Sequence, residues 1–267
     1  MNPKAQNAPF ESEFSEQSAV AEPRAAGDVG HSFAEAMLER LGSQNKAVQR
    51  DAVERLADAA AAGDHRCAAA LRRALSNPNP RVRWVAAYGL ARLDDASGAD
   101  ALCEGLSSAD ADLRWASARM LARLALSSEP TQAVLVGLAR SGKEPVARRM
   151  ALHSLRYFRA SGEEILSVAE DAARSRAKLV RLAALSLLAE LNDCSGRAAG
   201  VASAMLESDS DPGVRRAAAA ALGKLGNHSA KALETLARTA ADRFDRALVR
   251  AAGRSLRRLG YDGNAGS

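Results

Sequence analysis

The chain predicts an all-α fold, an α-solenoid of about seven antiparallel helix pairs with a period of about 34 residues, and three observations carry that prediction. The first is composition. Of 267 residues 47% are hydrophobic but only 4% aromatic; Ala, Leu and Arg dominate, all good helix formers, and there are few of the β-branched or aromatic runs that strands use. The second is a leucine that recurs as Leu56, Leu90, Leu121, Leu155, Leu188, Leu222 and Leu256, at spacings of 34, 31, 34, 33, 34 and 34. The third is a helix start signal ahead of that leucine, fullest at Asp211-Pro212-Gly213-Val214. Asp211 can accept hydrogen bonds from the first free N–H groups, and Pro212 loses none at the first helical position.

Taken in order, residues 1–30 read as a disordered acidic tail, polar and weakly periodic. They carry Lys4 and Arg24 against Glu11, Glu13, Glu16, Glu22 and Asp28, a charge of −3 that leaves +8 on the remainder. Phe10 and Phe14 stand four apart there, either incidental or a short docking segment. Residues 31–260 form the solenoid and 261–267 a short polar tail. First helices are expected at 32–41, 65–76, 98–107, 130–140, 163–174, 197–207 and 229–241. Second helices are expected at 46–60, 80–93, 111–125, 145–159, 178–191, 212–225 and 246–259. The breaks are short and rich in Asp, Asn, Ser, Gly and Pro, as between antiparallel helices.

The second helices align residue by residue. Four before the leucine is a small residue: Ala52, Ala86, Ser117, Ala151, Ala184, Ala218 and Ala252. Seven before it is Arg83, Arg114, Arg148, Arg181 or Arg215, with Gln49 and Val249 in the outer copies. Three after it come Leu93, Leu124, Phe158, Leu191, Leu225 and Leu259, with Ala59 in the first copy. The cap position runs Asn45, Asn79, Asp110, Glu144, Asp211 and Asp245 and fails only at Ala177; Pro80, Pro145 and Pro212 follow it. One pair cannot bury its apolar face alone, so small residues and leucines predict pairs stacked on one continuous core. At ~8–10 Å between helices, seven pairs make a curved rod of about 70 Å.

The unit Asp-Pro-x-Val-Arg-x-x-Ala-x-x-x-Leu-x-x-Leu, Asp211 to Leu225, resembles HEAT repeats, and its short period is most similar to the HEAT-like repeats of phycobilisome lyases. The resemblance covers roughly 32–260; the tetratricopeptide and ankyrin signatures are absent. It implies that Arg83, Arg114, Arg148, Arg181 and Arg215 are structural, each reaching the capping acid or a carbonyl of a neighbouring repeat. Asp110, Glu144 and Asp211 would be the acids, while Asn79 and Ala177 break that rule. It also implies that the second helices line a concave face.

On those helices, positions one, five and nine after the arginine share a stripe. The stripe holds ten Arg or Lys against three acids (Glu54, Asp58 and Glu190), both tryptophans and two of the three tyrosines. Its last copy is Arg250, Arg254 and Arg258. The candidate binding residues on it are Trp84, Tyr88, Arg92, Trp115, Arg119, Arg123, Arg149, His153, Arg216 and Lys224. Aromatics and Arg dominate binding hot spots, and the same mixture suits single-stranded nucleic acid. A second reading stands beside it: a solvated face, with Arg92, Arg123, Lys224 and Arg258 favoured by nearby helix C-termini and the tryptophans acting as ridges between repeats.

No catalytic constellation emerges. His31, His65, His153 and His228 are dispersed and none precedes Glu, which excludes the HEAT-repeat hydroxylases with their His-Glu pairs. No Gly-rich phosphate loop, nucleophile elbow or metal-spaced cluster is present, so no metal and no cofactor is implied. Cys67, Cys103 and Cys194 are odd in number and include no Cys-x-x-Cys pair, as in a reducing compartment. With no signal-peptide core and no long apolar span, a cytoplasmic protein without a membrane partner is expected. The function expected is a non-enzymatic scaffold, adaptor or assembly factor, holding an acidic protein on the stripe and steered by a net charge of +5 and a pI near 9.4. The resemblance adds two alternatives. One is bilin attachment of phycobilin-lyase type. The other is nucleic-acid binding of the kind seen in HEAT-like alkylpurine DNA glycosylases, for which Trp84 and Trp115 match but no Asp does.

Overall fold

The structure, a computed structural model, describes residues 32–157, 162–191, 193, 195–226, 230–242 and 245–261. The acidic tail with Phe10 and Phe14, the polar tail from 262, His31, His228, Phe158 and Cys194 lie outside the described residues. The described helices belong to one compact unit beginning at Phe33. Among the described residues there are fourteen α-helices, one 3-10 turn and no strand. They pair as α1 (Phe33–Leu41) with α2 (Lys46–Ala61), α3 (His65–Ala74) with α4 (Pro80–Arg92), α5 (Ala99–Gly105) with α6 (Ala111–Ala125) and α7 (Glu129–Ser141) with α8 (Pro145–Leu155). The series continues with α9 (Gly162–Ala173) and α10 (Lys178–Leu188), α11 (Arg197–Ser208) and α12 (Pro212–Leu225), and α13 (Ala230–Ala240) and α14 (Arg246–Arg258). The even-numbered helices pack each against the next from α2 to α14, and α7, α9, α11 and α13 do the same in a second layer. The fold is thus an all-α solenoid.

Local chemistry accounts for the starts. Asn45, Asn79, Asp110, Asp211 and Asp245 each accept from backbone N–H groups two or three residues on. Asp64 and Ser128 do the same for α3 and α8's partner α7, which the sequence pattern did not single out. Glu144 departs from its expected role: it makes no capping bond, its side chain being one methylene longer than the Asp that fits there. Ala177 has no side chain to cap with, and its own N–H donates to Ser175 Oγ at 3.2 Å. Helix ends fall short of expectation at α8 and α10, and the third pair opens with a 3-10 turn, Ala96–Gly98, before α5.

The repeated leucines from Leu56 to Leu222 are buried, and so is every small residue four before them. Leu256 is only partly covered, with no further helix packed beyond α14 among the described residues. Serines add rungs between even helices: Ser154 Oγ donates to Ala118 O at 3.0 Å, and Ser255 Oγ to Ala219 O at 2.7 Å. The core divides at α4. Val82, Val85, Ala86 and Leu90 join the α1–α4 cluster, whereas Ala87 and Ala91 join the cluster that runs to α14. Trp84 and Tyr88 pack against both. This seam coincides with the short 31-residue step between Leu90 and Leu121. It requires close approach: a Cβ on Gly98 would lie 2.7 Å from Ala87 Cα, and one on Gly105 would lie 2.8 Å from Trp84 Cδ1. Gly105→Ala is therefore expected to cost about 1–3 kcal/mol by overpacking. Urea denaturation checks it, and unchanged stability would mean that the Ser117 hydroxyl, the atom nearest such a Cβ, and the Trp84 indole both move aside freely.

The repeated arginines correct one expectation: none meets the capping acid. Each instead reaches back to carbonyls of the turn that precedes its own helix or of the helix before that turn. Arg83 Nη1 donates to Asn77 O and Pro78 O at 3.1 Å, and Arg114 Nη1 to Ser108 O and Ala109 O at 2.6 and 2.9 Å. Arg148 Nε donates to Ala139 O at 2.8 Å, Arg181 Nη1 to Ser175 O and Arg176 O at 3.0 and 3.1 Å, and Arg215 Nη1 to Asp209 O at 3.1 Å. The reason is that those carbonyls have no partner within the preceding helix, while the cap carboxylates of Asp110 and Asp211 already hold N–H groups. Lysines take those carboxylates: Lys46–Asp110 at 3.4 Å and Lys178–Asp211 at 2.8 Å. The two copies that break the acid rule are the ones whose arginines find a carboxylate in the next pair, Arg83–Glu104 and Arg181–Asp209, both at 2.7 Å.

Candidate functional site

Helix α8 places Arg149, His153 and, just past its end, Tyr157 one above another, because residues four apart share a face. One period earlier α6 supplies Trp115, with Arg119 a turn further on. The ring centroids of Trp115 and His153 are 4.4 Å apart, nearly perpendicular at 86°. Those of His153 and Tyr157 are 6.0 Å apart at 84°. The Arg149 guanidinium carbon lies 6.0 Å from the Trp115 ring centroid, within reach of its π face. Trp115 and Tyr157 remain 38% and 54% exposed. The result is an open group of three rings with cations at its rim.

His153 is neutral in this setting. Burial first, then the charges of Arg156 and Arg149, push it down to about 4. Arg156 Nη1 lies 3.4 Å from His153 Nδ1. A guanidinium only donates, so Nδ1 accepts and Nε2 carries the proton. The sign of the pH effect follows. A folded-state value below the free-histidine 6.5 means that the contribution is fully present above that pH and is lost as pH falls towards 4. The urea midpoint of the protein is expected to fall more steeply between those limits than that of His153→Phe; parallel profiles would contradict the assignment.

Other candidates are engaged elsewhere. Trp84 and Tyr88 stack on each other, centroids 5.6 Å apart at 28°, and Trp84 Nε1 donates to Ser117 Oγ at 2.7 Å. Among the described residues no ring contact joins them to Trp115. Arg92, Arg123 and Lys224 belong to a ladder of ion pairs between successive repeats. Arg92 pairs with Asp58 at 3.2 Å and Arg123 with Asp94 at 3.0 Å. Glu190 joins Arg156, at 2.8 Å, to Lys224, and those two cations hold its carboxyl below the usual range. Asp94 takes its place with φ 57, in the left-handed region beyond α4, which Asp tolerates better than most residues. Arg119 is half-buried, as is Arg216, which has no charged partner among the described residues. Tyr157 and Arg156 were outside the candidate set. Tyr157 sits at position nine of its copy, and Arg156 is signalled by standing three residues after His153 and one 34-residue period before Glu190.

An open groove of about 420 Å³ between α9 and α11 covers the Arg181–Asp209 pair and shares no residue with the ring group. Cys67 is buried, and burial pushes the Cys103 thiol up to about 11, away from thiolate chemistry. Among the described residues no group of three His, Cys, Asp or Glu could hold a metal ion, and no helix is long and apolar enough to cross a membrane.

A sequence profile described as HEAT repeats matches residues 34–122 and 166–257. No curated protein matches the chain. Among solved structures, Kap95p bound to RanGDP is similar over 85% of this chain and 32% of its own, with 18% identity and a TM-score of 0.60. Importin β is similar over 85% of this chain and 33% of its own, with 16% identity and a TM-score of 0.54. The complex of CpcE and CpcF of the phycocyanin lyase of Nostoc sp. PCC7120 is similar over 91% of this chain and 99% of its own, at 16% identity and a TM-score of 0.39.

Proposed function

This chain belongs to the HEAT-repeat family, and from that premise we propose that it is a non-enzymatic scaffold or adaptor, holding an acidic protein segment on the ring group of α6 and α8. The repeat architecture supports protein binding in general. The observation that carries the specific reading is the Trp115–His153–Tyr157 group with Arg149 at its rim. Exposed rings beside Arg are the side chains in which interfaces concentrate their free energy. A neutral imidazole among them adds no charge of its own, so the rim arginines select for carboxylate while the rings take an apolar or aromatic side chain between. Charge would speed the encounter more than it holds the complex. The ion-pair ladder argues against a phosphate chain along this part of the stripe, because Asp58, Asp94 and Glu190 interrupt the positive track at every rung. We place this activity in the cytoplasm, where Cys67 and Cys103 persist as thiols.

Affinity capture from the source cells, with and without nuclease, tests the reading. A partner is expected that survives nuclease, and Trp115→Ala is expected to weaken it by about 2 kcal/mol, roughly 30-fold. Release by nuclease, or equal capture by Trp115→Ala and Tyr157→Ala, would overturn it.

A further inference from the structure

The last helix carries a feature that the ring group does not explain. Residues 230–261 hold eight Lys or Arg against three Asp or Glu, a net +5 equal to that of the whole chain, so the rest of the sequence is neutral. Most of this charge is one row. Arg246, Arg250, Arg254 and Arg258 are four residues apart on α14, and all are exposed, as is Arg257 beside them. At 1.5 Å per residue the row is about 18 Å long. Helix α14 contains no acidic residue, and none of the five arginines pairs with a carboxylate among the described residues. The nearby acids are engaged: Asp245 accepts from Ala247 and Leu248 N–H, and Glu207 holds Arg238 and Thr235.

Helix stability does not account for the row. Like charges at four-residue spacing repel within a helix, and here they do so three times in succession. The helix dipole favours Arg257 and Arg258 in the last turn, but it opposes Arg246 at the first position. Elsewhere the same stripe is interrupted by Asp58, Glu190, Ala220 or aromatic rings; on α14 it is arginine at every position. The opposite side of the helix is fixed, with Leu248, Ala251, Ala252 and Ser255 buried against α12 and α13. The row is therefore held rigidly outward. Tyr261, half exposed, stands three residues past the helix end, beyond a left-handed Gly260, with its N–H donating back to Leu256 O at 2.9 Å.

We propose that the arginine row of α14, with Tyr261 at its end, binds the phosphate backbone of single-stranded nucleic acid. Arg presents a planar fork of donors that grips a phosphate by two hydrogen bonds. Evenly spaced forks fit a regularly charged chain better than the scattered carboxylates of a protein surface. The tyrosine ring offers a platform on which any base can stack, so contact is without sequence preference. A membrane surface fits less well, because a helix that lies in lipid must insert its apolar face, and that of α14 is committed to the core. This site is separate from the ring group and stands whether or not that group holds a protein.

The test is fluorescence anisotropy with a labelled oligothymidylate of about 20 nucleotides, the full chain and a salt series from about 50 mM. Binding is expected to weaken with salt at a log–log slope of about −3 for four phosphate contacts. Arg250→Gln/Arg254→Gln/Arg258→Gln is expected to reduce that slope by about two, with the helical circular-dichroism signal unchanged since all three side chains are exposed. Tyr261→Ala weakens binding and leaves the slope alone; Trp115→Ala changes neither. No binding at the lowest salt, or equal binding by the triple variant, overturns the proposal. Stronger binding to polyglutamate or to phosphatidylserine vesicles than to the oligonucleotide also overturns it, in favour of an acidic protein or a membrane.

Discussion

Trp84→Ala is expected to destabilise the protein by about 3–5 kcal/mol and to split its unfolding into two steps, while Trp115→Ala changes stability little. Trp84 packs against both core clusters and donates its indole N–H to Ser117 in the next repeat at 2.7 Å. Gly105 leaves the space that the indole fills. Truncation removes the contact, opens a void at the seam and takes one hydrogen-bond partner from Ser117. Repeat arrays are stabilised by each repeat and its nearest-neighbour interfaces, so one weakened interface releases α1–α4 from the remainder. Urea unfolding followed by far-ultraviolet circular dichroism would show the earlier step. Ser117→Ala separates the hydrogen bond from the packing and is expected to cost only about 1 kcal/mol. A single transition shifted by less than that in Trp84→Ala would show that the two clusters are held together some other way.

The sequence makes the two tryptophans look alike, since each stands one residue after the repeat arginine in consecutive copies. What separates them is the facing repeat. The short step after Leu90 brings Ser117 and Gly105 against Trp84, whereas the regular step after Leu121 brings Arg149 and His153 beside Trp115. A one-dimensional pattern reports position on a helix, not what lies opposite. The leucine row, the small residues and most caps were legible because they recur, and recurrence means that every copy solves the same packing problem. The ladder was half legible. Asp58 and Arg92, like Glu190 and Lys224, are one period apart with opposite charge, but totalling the charge of the stripe conceals that they neutralise each other. Asp94 could not be found this way, because it reaches Arg123 only from a left-handed turn. The partners of the repeat arginines were illegible for a related reason: backbone carbonyls exist at every residue and leave no mark in the sequence.

Asp209→Ala is expected to cost about 3–5 kcal/mol, whereas loss of Arg92 or Arg123 from the ladder should cost no more than about 1 kcal/mol. All three positions are ion pairs at similar distances, so burial decides the difference. The Arg181 and Asp209 side chains are 13% and 7% exposed, against 36% and 70% for Arg92 and Asp58. Arg181 binds both carboxylate oxygens, at 2.7 and 3.0 Å, while its third nitrogen holds the carbonyls of Ser175 and Arg176. Asp209 Oδ1 also accepts from the N–H of Asp211, at 2.9 Å, just ahead of α12. The pair thus ties the start of α10, where Ala177 provides no cap, to the turn that sets up the next repeat. Removing the carboxylate leaves a guanidinium that is only 13% exposed at the floor of the α9–α11 groove, and the penalty is mostly that unpaired charge rather than the net value of the pair. Arg181→Met/Asp209→Leu is accordingly expected to recover most of the loss. The parent, Arg181→Met, Asp209→Leu and Arg181→Met/Asp209→Leu form a double-mutant cycle. A coupling near zero, or an Asp209→Ala protein as stable as the parent, would mean that the pair is as well solvated as the rungs of the ladder.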